Sequence, residues 1–161
     1  MDRFLADEMN GDLARWLRIL GYDCKYFYRE GGDEDLIREA EIEGRVVLTG
    51  DRGLYRECLK RGVKAIYTEG ATREERLADL AKKSLIDLSL GERVPRCSRC
   101  NTPLEEGGVE EVRGRAPRGV LERYKEFWIC PSCGKVYWEG SHWRGIKETV
   151  KKARKRVLEG L

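Results

Sequence analysis

The stretch Arg45-Val46-Val47-Leu48-Thr49-Gly50-Asp51-Arg52-Gly53-Leu54 decides how this chain is read. Val46, Val47 and Leu48 form a short apolar run rich in β-branched residues, the pattern of a buried strand. Gly44 precedes the run, and Gly50 and Gly53 follow it, so it is punctuated on both sides. Beyond Gly53 the apolar spacing becomes helical, with Leu54, Tyr55, Cys58 and Leu59 at i, i+1, i+4 and i+5. Asp51 therefore stands where a strand ends and a helix begins. In an open parallel sheet that edge collects ligand-binding and catalytic groups. Taken alone, Asp51 reads equally as a helix cap that accepts backbone N–H bonds. What favours a functional role is that the pattern recurs.

Working outward, Arg3 to Ala6 reads as a first strand ending at Asp7. Asn10 is placed to cap a helix from Gly11 to Leu20, whose Leu13, Trp16, Leu17 and Leu20 share one face. Gly21 suits the position just past its end. Cys24 to Tyr28 is a second strand, and Asp33-Glu34-Asp35 opens a second helix with Leu36, Ile37 and Ala40 on one side. Ala65 to Thr68 is a fourth strand. Thr72 to Lys83 is a fourth helix, with Thr72 as cap and Glu75 at the capping-box position. Strands alternating with helices at this spacing predict βαβ units, hence an α/β domain with a small doubly wound parallel sheet over residues 1–90.

The chain has 161 residues and a net charge of +3, unevenly spread. Residues 1–90 carry 16 Lys+Arg against 19 Asp+Glu, and residues 91–161 carry 16 against 10. An acidic half suits cations, and a basic half suits a polyanion. The same figures also fit a charge-rich surface, 38% charged with no Gln and two Asn, a thermophile-like composition. No apolar run approaches ~18 residues, so no membrane span is expected. Met1 to Asp7 is too short and too acidic for a signal peptide, and a cytoplasmic location is the expectation.

From Arg96 the character changes. Two C-x-x-C pairs, Cys97/Cys100 and Cys130/Cys133, have the spacing of paired knuckles that present four thiolates in a tetrahedron. This predicts one structural zinc ion, held by four cysteines in a zinc ribbon over residues 91–142. The intervening segment should hold a hairpin, with Val109–Val112 and Glu126–Ile129 as its strands and Arg113–Gly119 as a basic loop. Cys24 and Cys58 stand alone in apolar surroundings and read as core thiols, with a disulfide between them as the alternative. The closing segment, residues 143–161, reads as a basic helix with Ile146, Val150, Ala153 and Val157 on its inner side. His142, the one histidine, follows Ser141, but the pattern gives no Ser–His or Cys–His nucleophilic pair around it; a packed or surface imidazole is the expectation, with contact to substrate as the alternative.

Asp7, Asp33 and Asp51 all fall where a strand gives way to a helix. Carboxylates drawn together repel unless a cation is present. An all-oxygen donor set suits Mg²⁺ or Mn²⁺, one or two ions, which can activate water for attack on a phosphodiester. Arg18 and Arg52 are candidates to hold the phosphate. Phe4-Leu5-Ala6-Asp7, Leu13 to Asp23, Asp33-Glu34-Asp35-Leu36 and Leu48 to Leu54 resemble the RNase domain named after the C-terminal region of the Mut-seven exonuclease, a branch of the PIN-like nucleases. Cys97 to Asn101 and Cys130 to Trp143 resemble the zinc ribbon appended to that domain. The resemblance implies a PIN-like α/β/α fold, metal-dependent cleavage of RNA at Asp7, Asp33 and Asp51, and a ribbon that engages RNA. Trp138 and Trp143 would serve as stacking platforms or as core. Asp12 departs from the family pattern, which has a basic residue there. Two alternatives stay open: a nucleic-acid-binding zinc-ribbon protein with a vestigial nuclease site, and a toxin-type PIN nuclease. The sequence leaves the oligomeric state open, a homo-oligomer included.

Overall fold

The computed structural model describes residues 1–28 and 30–160, so Leu161, the last residue of the expected basic helix, lies outside the described residues. Strands β1 (Phe4–Ala6), β2 (Cys24–Tyr26), β3 (Val46–Thr49) and β4 (Ala65–Tyr67) form one parallel sheet in the order β2-β1-β3-β4. Helices α1 (Gly11–Ile19), α2 (Gly32–Glu43), α3 (Arg52–Lys60) and α4 (Arg73–Lys82) alternate with the strands. Successive strand side chains point to opposite faces. Phe4, Ala6, Val46 and Leu48 accordingly meet Leu13 and Leu17 of α1 and Leu77 and Leu80 of α4. Leu5 and Val47 face the other way, against Leu36 and Ile37 of α2 and Leu54 and Cys58 of α3. The result is the expected doubly wound α/β/α sandwich.

From β1 the chain steps to β2 on one side, then crosses back to β3 and β4 on the other. Winding therefore reverses between β1 and β3, and such a switch point opens a crevice at the carboxyl ends of the two strands. Local caps hold these elements. At α4, Thr72 Oγ1 accepts from the Glu75 N–H at 3.2 Å, while the Glu75 carboxylate accepts from the Thr72 N–H at 3.3 Å. Asn10 does not cap α1 as expected. A short 3-10 turn, Glu8–Asn10, precedes that helix, and the Asn10 amide bonds elsewhere. Gly21 ends the helix with φ of +91°, and a Cβ there would lie 2.5 Å from Arg93 Cβ, so both the turn and the close approach require glycine.

The second half carries a three-stranded antiparallel sheet of β5 (Glu105–Gly107), β6 (Phe127–Ile129) and β7 (Val136–Tyr137). The strand expected over Val109–Val112 is instead a helical turn, α5 (Val109–Val112), and Glu105–Gly107 takes the place opposite β6. Val109 and Val112 are three residues apart, a helical spacing that alternation cannot use. Only Val112 is buried, and the Gly108 N–H closes the turn on the Glu111 carboxylate at 3.3 Å. The expected basic loop also ends early, in helix α6 (Arg118–Arg123). The last helix, α7 (Ser141–Glu159), starts earlier than its apolar period indicates. It lies along α4, with Val150 and Ala153 buried in the same core as α1. Lys147, Lys151, Arg154 and Lys155 remain exposed on it.

Candidate active site and metal centre

Asp7 follows β1 at the switch point and is completely buried. Its Oδ1 accepts from Asn10 Nδ2 at 2.8 Å, and its Oδ2 accepts from Thr49 Oγ1 at 2.6 Å and the Gly50 N–H at 3.3 Å. Thr49 Oγ1 in turn accepts from the Asp51 N–H at 3.0 Å. One hydroxyl at the end of β3 thus ties the Asp7 carboxylate to the Asp51 backbone. Asn10 Oδ1 accepts from Thr68 Oγ1, just past β4, at 3.3 Å, which extends the network along the edge. Asp51 also performs the plain task foreseen for it: Oδ1 caps α3, accepting from the Gly53 and Leu54 N–H groups at 2.8 and 3.1 Å. Every hydrogen-bond donor to Asp7 is a neutral group, and among the described residues no lysine or arginine pairs with it.

Asp33 stands exposed in the first turn of α2. Its charge adds to the rise of the Cys58 thiol to about 11, which burial chiefly causes. Among the described residues, Asp7, Asp33 and Asp51 do not converge on one point as metal-ligating groups do. Arg52 is the first residue of α3, with its guanidinium 5.4 Å from the Tyr67 ring centre, at the same carboxyl edge. Arg18 is not at that edge. It is buried, with Nε donating to the Cys24 carbonyl at 2.8 Å and a terminal nitrogen donating to the Ser98 carbonyl at 2.9 Å. Cys24 opens β2, so Arg18 points to the amino edge, and the guanidinium expected to hold phosphate is spent on two backbone carbonyls. Asp12 pairs loosely with Arg73 at 3.9 Å on the surface.

The four ribbon cysteines do converge. Their sulfurs lie within 4.8 Å of one another, with Cys97 to Cys133 at 3.6 Å and Cys100 to Cys130 at 3.4 Å. A tetrahedral ion with metal–sulfur bonds of about 2.3 Å needs sulfurs about 3.8 Å apart, so one metal ion fits among them. The Thr102 hydroxyl, 3.3 Å from Cys100 Sγ, and the Thr102 N–H hold that thiol down to about 6 against burial. The Lys135 N–H lowers Cys133, but burial and the three neighbouring sulfurs raise it more, to about 11. Four thiolates crowded this closely need a cation between them. Cys24 and Cys58, by contrast, are free core thiols pushed up by burial, Cys24 to about 12.

Asn101, Asp23 and Arg45, which with Arg18 join the two halves, are given no such role in the sequence-based expectations. Asn101 follows the first knuckle with φ of +71°. Its side chain accepts from the Cys24 N–H at 3.1 Å and donates to Asp23 Oδ1 at 2.7 Å. Arg45 also donates to Asp23 at 2.7 Å and to the Phe4 carbonyl at 3.1 Å. An asparagine where the second knuckle has Gly134 is the available signal, since both residues tolerate the left-handed turn but only asparagine carries polar atoms.

No helix is long and apolar enough to cross a membrane among the described residues. Comparison with curated proteins and with solved structures finds no match to this chain. Residues 2–150 match the family model described as the Mut7-C RNAse domain. That span takes in both the acidic edge of the sheet and the cysteine cluster, and the chain belongs to this family of PIN-like ribonuclease domains.

Proposed function

We propose that the protein is a metal-dependent ribonuclease that hydrolyses RNA phosphodiester bonds at the carboxyl edge of its parallel sheet. The observation that carries this reading is Asp7, a buried carboxylate at the switch point that receives neutral hydrogen bonds and no protein cation among the described residues. Such a charge calls for a positive partner, and an all-oxygen site suits Mg²⁺ or Mn²⁺. Asp7, Asp33 and Asp51 are the residues that would hold one or two such ions, the ion drawing together carboxylates that, among the described residues, do not lie within ligating reach of one another without it. A bound ion of this kind lowers the pKa of a water molecule and stabilises charge on the leaving oxygen. Thr49 sets Asp7 and the Asp51 backbone relative to each other, and Asn10 orients the second Asp7 oxygen. Arg52, at the start of α3, presents its guanidinium to the scissile phosphate. Because Asp7 shows no surface, access to it requires the Glu8–Asn10 turn, with its exposed Met9, to give way.

In this reading the cysteine cluster holds zinc. All four ligand positions are protein sulfurs, so the ion serves folding and leaves no place for substrate. The ribbon and the basic face of α7 supply the electrostatic grip on RNA. A second reading, a nucleic-acid-binding module with a vestigial acidic edge, draws on Asp51, whose Oδ1 already caps a helix. The two separate in one assay on zinc-loaded protein with unstructured and hairpin RNA, with and without added Mn²⁺. Mn²⁺-dependent cutting that disappears in Asp7→Asn and Asp51→Asn supports the nuclease. Salt-dependent binding without turnover supports the second reading, and wild-type cutting by both variants removes the acidic edge as the site.

A further inference from the structure

Between α1, the cysteine-bearing sheet and the first turns of α7 lies a cavity of about 570 Å³. Its volume falls within the range of small-molecule sites. Trp128, Tyr137, Trp138 and Trp143 line it, an unusual density of aromatic rings for a chain with four tryptophans. Three cations, Arg15, Arg99 and Lys135, stand exposed on its lining, and Glu139 is its one carboxylate. Arg15 and Arg99 form no ion pair among the described residues. Lys135 lies 5.0 Å from the Tyr137 ring centre, so charge and ring are already apposed. The Trp143 indole N–H is buried and has no acceptor among the described residues. Leaving such a donor unpaired costs about 1–3 kcal/mol.

We infer that this cavity is a subsite for one unpaired nucleotide of RNA, which rests on the ribonuclease reading above. The base stacks on the indole and phenol rings, an arrangement any base permits because each has a π face. Arg15 and Arg99 take the adjoining phosphate. The charge balance of the lining argues for a nucleic acid over an apolar peptide, since a peptide groove gains nothing from unpaired arginines. The subsite adjoins the ribbon, which Arg18, Asn101 and Cys24 bind to the amino edge of the sheet. The acidic edge is at the other end of the strands, at least about 10 Å away for three residues of strand. One nucleotide therefore cannot occupy both places. The subsite selects substrates that have an unpaired base some nucleotides from the bond to be cut.

The test uses the full, zinc-loaded chain without Mg²⁺ or Mn²⁺, so that no cleavage step is involved. Each of the four nucleoside 5′-monophosphates is titrated while tryptophan emission is followed. A saturable quench is expected, with affinity at least roughly tenfold weaker in the Arg15→Glu/Arg99→Glu double variant, whose substituted residues are exposed. No saturable quench with any nucleotide overturns the inference, as does a quench indifferent to the double variant. A cavity that takes an apolar fluorescent dye but no nucleotide is a protein-docking groove, which also overturns it. Binding that persists in a protein unable to cut RNA keeps the subsite and removes only the nuclease reading.

Discussion

At the amino edge of the sheet, Asp23 accepts from Arg45 at 2.7 Å and from Asn101 at 2.7 Å, with Arg96 3.8 Å away. At the carboxyl edge, Asp7 is more deeply buried yet accepts only from an amide, a hydroxyl and a backbone N–H. The two carboxylates end opposite sides of the same sheet, and they differ in what neutralises them. The amino edge is electrically complete without any added ion, and its work is to hold the ribbon. At the carboxyl edge the Asp7 carboxylate has its hydrogen bonds but, among the described residues, no counter-charge. Asp23 brings its counter-charge with it; under the proposed function, that of Asp7 comes from a bound cation.

The sharpest way to break this contrast is the pair Asp7→Asn and Asp23→Asn. Asp7→Asn removes a charge that has no protein partner, so RNA cleavage should fall by roughly 10²–10³ or more. The Tm should stay near wild type or rise, because an uncompensated buried charge is gone. Asp23→Asn should do the reverse. It strips a buried arginine of one partner, with an expected cost of about 3 kcal/mol, read by denaturant unfolding, while cleavage by the remaining folded protein is retained. Equal effects of both substitutions on stability would erase the distinction.

Acid sharpens the same comparison. Burial alone would raise the Asp23 carboxyl, but the Arg45 and Asn101 hydrogen bonds and the charges of Arg45 and Arg96 outweigh it, holding it below its ordinary value of 3.8. A lowered folded-state value means that its stabilisation is fully present above about pH 3.8 and is lost as pH falls through the folded value. The stability gap between wild type and Asp23→Asn should therefore be flat from neutral pH down to that region and close below it. Chemical denaturation of both proteins across pH 3 to 6 measures the gap directly. A gap that closes near neutral pH would mean that Asp23 does not carry the amino edge.

How much of this can be read from the sequence follows from which forces are local. The four strand–helix units are legible because apolar period and caps are short-range, as the Thr72–Glu75 box illustrates. The cysteine cluster is legible because two knuckles announce themselves by spacing. Asp7 and Asp51 are legible as edge residues, since strand ends in a parallel sheet must share an edge. What is lost is long-range pairing of polar groups. Arg18 reads as a phosphate ligand in sequence because its acceptors, the Cys24 and Ser98 carbonyls, come together only in the fold. Val109–Val112 reads as a strand when β-branched residues are weighed above their three-residue spacing. The same three-apart rule, applied strictly, gives the helical turn that forms.

Thr49→Val is a smaller perturbation that acts on the carboxyl edge alone. The substitution keeps the shape and removes the hydroxyl that donates to Asp7 Oδ2 and accepts from the Asp51 N–H. A loss of about 1–3 kcal/mol is expected for the buried groups left unpaired. Cleavage should fall by more than the folded fraction accounts for, because the two aspartates lose their common reference point.

The smallest expected effect comes from the knuckles, and it isolates the docking of the ribbon from its folding. Asn101 and Gly134 occupy equivalent turns at φ of +71° and +78°. Asn101→Gly keeps the turn, for which glycine is better suited, and so leaves the metal site intact. What it removes is the pair of side-chain bonds to Cys24 and Asp23. About 1–2 kcal/mol should be lost, the worth of two hydrogen bonds, one of them to a carboxylate. The loss should appear as faster amide exchange at Cys24 with unchanged metal stoichiometry. Gly134→Asn, where nothing lies within 4 Å of the added Cβ, should cost a few tenths of a kcal/mol at most and move no amide of the parallel sheet. If the two substitutions behave alike, the first knuckle is only a metal clip, and the ribbon must be held to the sheet by Arg18 and Arg96 instead.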